Sequence, residues 1–253
     1  MTEKEVTVMK LRKSALICPT VSMTEYLYSI MNLWNSPLSL WGLSHATIPK
    51  DGNVLDIGCG GGKNLVRLLE KVPDGHVYGI DPSFRAVNCS YELNREACIE
   101  GRCHVYEGMA DALPFQDNFF DFIMASETFY FWKDPKASLK EIRRVLRPGG
   151  QLLFIHSKSA GPVGKLYEKL IPGMKVYSRK RMGKMLEEAG FQITEMKGCL
   201  GALTIVSRKP LGLAETARRK LADPTNHRKV AYALLGAAAL GAAIYGFAKT
   251  RHK

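Results

Sequence analysis

Two aspartates and a run of glycines form the part of this sequence best suited to hold a polar ligand. The run is Val54-Leu55-Asp56-Ile57-Gly58-Cys59-Gly60-Gly61-Gly62-Lys63-Asn64, and Asp81 follows about 20 residues past the glycines in Tyr78-Gly79-Ile80-Asp81-Pro82-Ser83. Glycines at this density permit a tight turn and let a ligand approach the backbone. A helix that starts there offers unsatisfied N–H donors. The dinucleotide pattern GxGxxG fails, because the third small position falls on Lys63. The phosphate loop GxxxxGK[ST] fails too, because Asn64 follows Lys63. What stands is Asp-x-Gly-x-Gly-x-Gly at 56, 58, 60 and 62. Further along, Ser126-Glu127-Thr128-Phe129-Tyr130-Phe131-Trp132 and His156 carry the remaining candidate chemistry.

Elements that alternate along the chain must position these groups. Strand-like runs fall at 53–58, 76–81, 103–108, 119–126, 151–156, 191–196 and 202–207. Helical patterns fall at Asn64–Lys71, Ser83–Ile99, Pro135–Leu146 and Ser178–Ala189. Several strands are nearly continuous apolar runs, as expected where helices cover both faces. The alternation predicts an α/β fold, a doubly wound, mostly parallel seven-stranded sheet. The last two strands follow one another with no helix between them, which predicts an antiparallel strand at one edge. Pro148-Gly149 reads as the stop of the helix before the fifth strand. Residues 1–50 read as an N-terminal helical cap, packed on the core or lying over a pocket. An insert at Lys158–Tyr177 lies at the end of the fifth strand, where it could shape a substrate pocket.

Taken in order, these motifs resemble the class I S-adenosylmethionine-dependent methyltransferases, of the methyltransferase type 11 kind. The resemblance covers roughly residues 40–207. It continues through Glu107-Gly108-Met109-Ala110-Asp111-Ala112-Leu113-Pro114-Phe115 and through Leu139 to Ile155, which contains Arg147-Pro148-Gly149-Gly150. It implies a Rossmann-like domain over 51–207 with S-adenosyl-L-methionine as cofactor and no metal. Carried over by position, Gly58, Cys59 and Gly60 lie along the methionine part. Asp56 orients its amino group, directly or through water. Asp81 holds the ribose, Pro82 flanks the adenine face, and Ala110 offers its N–H to the ring. Many relatives place an aspartate where this chain has Met109. Either Asp111 substitutes for it or Met109 packs on the adenine. After the fourth strand, amine methyltransferases of nucleic acids carry Asn/Asp-Pro-Pro-Tyr/Phe. Its absence here argues against a nucleic-acid base as acceptor and for a small-molecule or lipid-like one.

Glu127 is the first candidate for removing a proton or holding a substrate amine, and His156 is the second; His45 ranks below both. Tyr130 and Trp132 are candidates to bind the acceptor or attract the sulfonium, while Phe129 and Phe131 read as core. A displacement at a methyl group needs a base only when the nucleophile arrives protonated, so a catalytic residue is not required by the reading.

The chain of 253 residues carries 46% hydrophobic and 24% charged residues, which excludes a disordered chain or a polytopic membrane protein. Its net charge of +12 is uneven. Arg208 to Lys253 hold ten basic against two acidic residues, and the first 207 hold 26 against 22. A basic linker at 208–229 leads to an apolar run at 230–248, 19 residues without a charge and flanked by basic residues, which predicts a hydrophobic helix and a candidate membrane anchor. Glu3 and Glu5 stand where a secretory signal is positive, so a cytoplasmic domain associated with a membrane is expected. Six scattered cysteines with no metal-ligand spacing read as reduced thiols. The competing reading is a membrane-tethered module that binds the cofactor without catalysis.

Overall fold

The computed structural model describes residues 36–157, 161–199 and 201–212. The chain divides into two units, residues 1–209 and 210–253, and every element below belongs to the first. Of the expected N-terminal cap, only α1 (Ser36–Leu43) lies among the described residues. The expected hydrophobic helix at 230–248 and most of the basic linker lie outside them. No described helix is long and apolar enough to cross a membrane.

Seven strands form one sheet in the order β3-β2-β1-β4-β5-β7-β6. They are β1 (Asn53–Ile57), β2 (His76–Asp81), β3 (Cys103–Glu107), β4 (Phe120–Ser126), β5 (Leu146–His156), β6 (Gln192–Cys199) and β7 (Ala202–Arg208). The pairs among β1 to β5 are parallel. At the far edge β7 runs against both β5 and β6, so the antiparallel pair expected from two consecutive strands is present. Alternate side chains of each central strand feed separate cores. Leu55, Ile123, Ala125 and Phe154 enter one with Leu139, Ile142 and Leu186. Val54, Phe122, Met124 and Leu153 enter the other with Leu65, Leu68 and Leu43. Strands covered on both faces are why these sequences read as unbroken apolar runs.

The helices are α2 (Lys63–Lys71), α3 (Phe84–Leu93), α4 (Arg95–Ile99), α5 (Pro135–Val145), α6 (Pro162–Leu170) and α7 (Arg179–Glu188). Their starts follow side-chain capping. Asp134 accepts from the Lys136 and Ala137 N–H groups with Pro135 at the first helical position, and Ser178 accepts from the Arg181 N–H. Three readings of the sequence differ from the structure. The helix expected over 83–99 breaks at Asn94, whose side-chain amide donates to the carbonyls of Ser90 (2.8 Å) and Gly62 (3.1 Å). Asn94 trades a helical conformation for those bonds and ties α3 to the glycine-rich turn. Pro148-Gly149 lies within β5, which begins at Leu146, and the β4–β5 register shifts between Phe120 and Phe122 to absorb it. The insert at 158–177 contains α6, which the sequence reading left unassigned.

Candidate active site

β1 and β4 are neighbours whose chain connections leave in opposite directions along the sheet. A crevice opens at the carboxyl ends of strands at such a switch point. The glycine-rich turn fills one side of it. The N–H groups of Gly58 (2.7 Å) and Cys59 (3.2 Å) both donate to the Ile80 carbonyl, which pins the turn to β2. Gly58 has φ +73, and a Cβ there would stand 2.2 Å from Cγ2 of Thr128. The turn is thus packed against the end of β4 with no room for a side chain. Gly60 has φ +53, yet a Cβ there would meet nothing within 4 Å. Its backbone faces open space, the arrangement a closely approaching ligand needs. The Cys59 side chain turns inward and is buried, which raises its thiol pKa. Cys59 therefore offers the crevice only backbone.

The two aspartates play different parts. Asp81 accepts from the Gly60 N–H with one oxygen (3.0 Å) and from the Ser83 N–H with the other (2.9 Å). Burial raises its pKa, and those two N–H donors oppose the rise. Asp56 lies beneath the turn with no exposed surface, and neither carboxylate oxygen meets a hydrogen-bond donor of good geometry. Its pKa is raised to about 7, first by burial and then by Asp81, against the pull of Arg67 and Asn64. Asp56 therefore offers the crevice no exposed atom. Arg67 is itself buried, donates to Oδ1 of Asn64 (2.6 Å) and has its own pKa lowered by desolvation. The sequence reading missed Arg67 and Asn64. No pattern in the sequence marks Arg67, which is buried on α2 together with Leu65 and Leu68.

β2 and β3 pair through Asp81 and Glu107, and the Gly108 N–H donates to the Asp81 carbonyl (3.1 Å). This brings Pro82 and Met109 to adjacent strand ends. Pro82 and Met109 are exposed, Ala110 is buried and Asp111 is half-buried. The ends of β4 and β5 are joined by Glu127. Its backbone is left-handed, at φ +59, a conformation that costs energy for a residue other than glycine. Its carboxylate accepts from the Tyr130 hydroxyl (3.2 Å) and from the N–H and hydroxyl of Ser157. Ser157 is a further residue the sequence reading did not single out. Phe129–Phe131 form a 3-10 turn. Phe129, Tyr130 and Trp132 are buried by it, whereas Phe131 is 51% exposed, not the core residue expected. The alternation expected of an extended segment fails because a 3-10 turn repeats every three residues.

His156 is buried among aromatic rings. It stacks on Phe154 (5.8 Å between centroids) and meets Tyr130 (5.0 Å) and Phe129 (5.8 Å) edge-on. Trp132 packs on Phe129 and Phe154. His45 lies elsewhere, with Nδ1 2.8 Å from the Glu195 carboxylate of β6. The structure thus gathers Asp56, Gly58, Gly60 and Asp81 at the turn, and Glu127, Tyr130, Trp132 and His156 at the β4–β5 ends. A cleft of about 590 Å³ between α5 and α7, lined by Lys136, Lys140, Arg143 and Lys209 among others, contains none of these residues. Among the described residues no group of three His, Cys, Asp or Glu could hold a metal ion.

Comparison with known proteins agrees with this geometry. Residues 55–154 match the family described as "Methyltransferase domain". The chain is 36% identical over 109 residues to demethylmenaquinone methyltransferase of Listeria welshimeri, covering 43% of this chain and 46% of the relative. It is 27% identical over 181 residues to the ubiquinone/menaquinone biosynthesis C-methyltransferase of Vibrio cholerae, covering 61% and 70%. A SAM-dependent methyltransferase structure from Aquifex aeolicus superposes with a TM-score of 0.62 at 24% identity, over 73% of this chain and 97% of that one. The region of the sheet and its turn thus carries the match to a methyltransferase domain and has the fold of a methyltransferase structure whose cofactor is S-adenosylmethionine. The chain spans about half the length of the first curated relatives it matches.

The residues present fit that cofactor. Asp81 raises the cost of charging Asp56, and Asp56 has no hydrogen-bond donor of good geometry. A ligand carrying net positive charge relieves both. The open face of Gly60 beside Asp81 suits a diol lying against backbone.

Proposed function

We propose that this protein transfers a methyl group from S-adenosylmethionine to a small-molecule or lipid-like acceptor, a quinone-type ring being the leading class. The observation that carries the reading is the pair Asp56 and Asp81 set around an open glycine turn. The two quinone-pathway relatives support the acceptor class. So does the aromatic composition of the β4–β5 ends.

The bound cofactor supplies an electrophilic methyl group on a positively charged sulfur. The chain contributes position and charge. The turn, held to Ile80, would take the methionine part, and Asp81, held by Gly60 and Ser83, would take the ribose. Asp56, buried beneath the turn, would favour the positive charge of the cofactor's amino group, directly or through water. Glu127 fixes Tyr130 and Ser157 at the far wall, so that an acceptor meets a set geometry, which is the main catalytic contribution open to an in-line displacement. Phe129, Tyr130 and Trp132 are buried together at the end of β4 and set the shape of that wall. An acceptor that arrives as an anion needs no base. For one that arrives protonated, Glu127 is the first candidate to take the proton.

Membrane attachment through 230–248 belongs to the same reading and is supported by the length and basic flanks of that run. Fractionation of the full chain against a version ending at Lys209 tests it, and equal solubility of both would end the anchor idea. No observation favours the non-catalytic module. Labelled-methyl transfer into lipid and small-molecule extracts tests the activity. Incorporation into an apolar product is expected, and labelling of protein or nucleic acid alone would contradict the acceptor class.

A further inference from the structure

α6 is built the wrong way round for a helix packed on its own domain. Surface helices turn their apolar stripe inward. Here Gly164 is buried, so its side faces the body, while the exposed Glu168 spends its carboxylate on the Val176 N–H (2.7 Å). At about 100° per residue, positions 166 and 170 lie on the opposite side. Leu166 is 55% exposed and Leu170 is 67% exposed. Lys165 and Lys169, both exposed, run beside them at the same spacing. The one acid of the helix, Glu168, lies about 100° or more around the helix from the leucines and is occupied by the Val176 N–H. The outward surface therefore pairs an apolar stripe with a row of positive charge, the composition of helices that lie in a lipid interface.

The position of α6 links this surface to the site. The segment after α6 lies on the 3-10 turn at the end of β4, where the Lys175 N–H donates to the Tyr130 carbonyl (2.8 Å) and Met174 is buried. Tyr130 in turn donates to Glu127. Phe131, exposed on the same turn, adds a third outward apolar group.

We infer that the outward face of α6, formed by Leu166 and Leu170 with Lys165 and Lys169, docks this protein on an anionic lipid surface beside its acceptor site. An acceptor dissolved in lipid then reaches the β4–β5 ends with little passage through water. The inference rests on the lipid-like acceptor reading and names where that acceptor comes from. Charge complementarity selects the occupant. A row of lysines beside leucines favours acidic headgroups, whereas an apolar protein segment has no use for them.

The test is hydrogen exchange of the full chain with and without vesicles. Phosphatidylglycerol-containing vesicles should slow exchange in α6, phosphatidylcholine vesicles should do so less, and added salt should reduce the difference. Leu166→Glu with Leu170→Glu should weaken the vesicle-dependent protection about tenfold or more per leucine. Lys165→Glu with Lys169→Glu should abolish the preference for phosphatidylglycerol. Cofactor affinity, read by calorimetry, should be unchanged in both variants. Protection of 230–248 without protection of α6 would overturn the inference. So would vesicle-independent protection that the leucine variant relieves, which means another part of the chain covers the stripe. Protection that depends on protein concentration alone would overturn it in favour of a second copy. Failure of the variants to alter vesicle contact leaves the methyltransferase reading standing, and failure to bind cofactor leaves the vesicle result standing.

Discussion

Asp56 carries the sharpest expectation at the scale of single residues. Its folded pKa of about 7 lies above the ordinary carboxylate value of 3.8. The folded state therefore binds the proton more tightly than the unfolded state does. Below pH 4 both states are protonated and Asp56 costs nothing. Between pH 4 and 7 only the unfolded state ionises, so stability falls as pH rises. The loss is complete above about pH 7 and is on the order of 4 kcal/mol. Asp56→Asn should flatten the pH dependence of ligand-free stability between pH 4 and 7, as read by denaturant unfolding. An unchanged slope would show that burial does not hold the proton there. Cofactor binding should tighten as pH rises through about 7, because the ionised form is the one that attracts a cation. Asp81→Asn removes the charge and one of the two oxygens that hold the Gly60 and Ser83 amides and should weaken cofactor binding about 10- to 100-fold with little loss of fold. Asp56 and Asp81 were both legible in the sequence from their spacing to the glycines. Arg67 was not, because no pattern in one sequence distinguishes a buried arginine from an exposed one on the same helix.

At the scale of elements, two ties hold the crevice together. Asn94 breaks the helix between α3 and α4 and bonds the Gly62 carbonyl at the start of α2. Asn94→Ala should cost about 1–3 kcal/mol of stability and loosen the turn, which a drop in cofactor affinity would report. The second tie is Glu127, which joins β4 to Ser157 and pays for it in a left-handed backbone. Glu127→Gln keeps the shape and should retain most stability, while Glu127→Ala should lose about 1–3 kcal/mol and slow methyl transfer more than it weakens cofactor binding. Equal effects on both readouts would place Glu127 with the cofactor instead. The strands were readable because burial on both faces leaves an unambiguous run, as in Phe120–Ser126. Three elements were hidden for separate reasons. The break at Asn94 lies inside a pattern that is helical on both sides. The 3-10 turn at 129–131 is an aromatic run that mimics an alternating strand. α6 turns its leucines outward, so its periodicity points to no core.

For the whole molecule, the charge of +12 separates into a domain near neutrality and a basic segment after Ser207. The border has a structural part. The Lys209 ammonium donates to Asn118 Oδ1 (2.7 Å) and to the carbonyls of Arg143 (2.7 Å) and Leu146 (2.8 Å), closing the end of α5 over the start of β5. A chain ending at Lys209 should bind cofactor as the full chain does. One ending at Ser207 should be less stable by about 1–3 kcal/mol in thermal or denaturant unfolding. The fold and the cofactor turn could thus be read from residues, because strand periodicity and glycine spacing are local. The acceptor could not, because it depends on which aromatic faces the chain turns outward once packed.

The measurement that bears most directly on the account is a calorimetric titration of the full chain with S-adenosylmethionine, run beside Asp81→Asn. The account predicts saturable one-to-one binding that weakens about 10- to 100-fold in the variant. Absence of binding to the native chain, or binding that Asp81→Asn leaves unchanged, would contradict it.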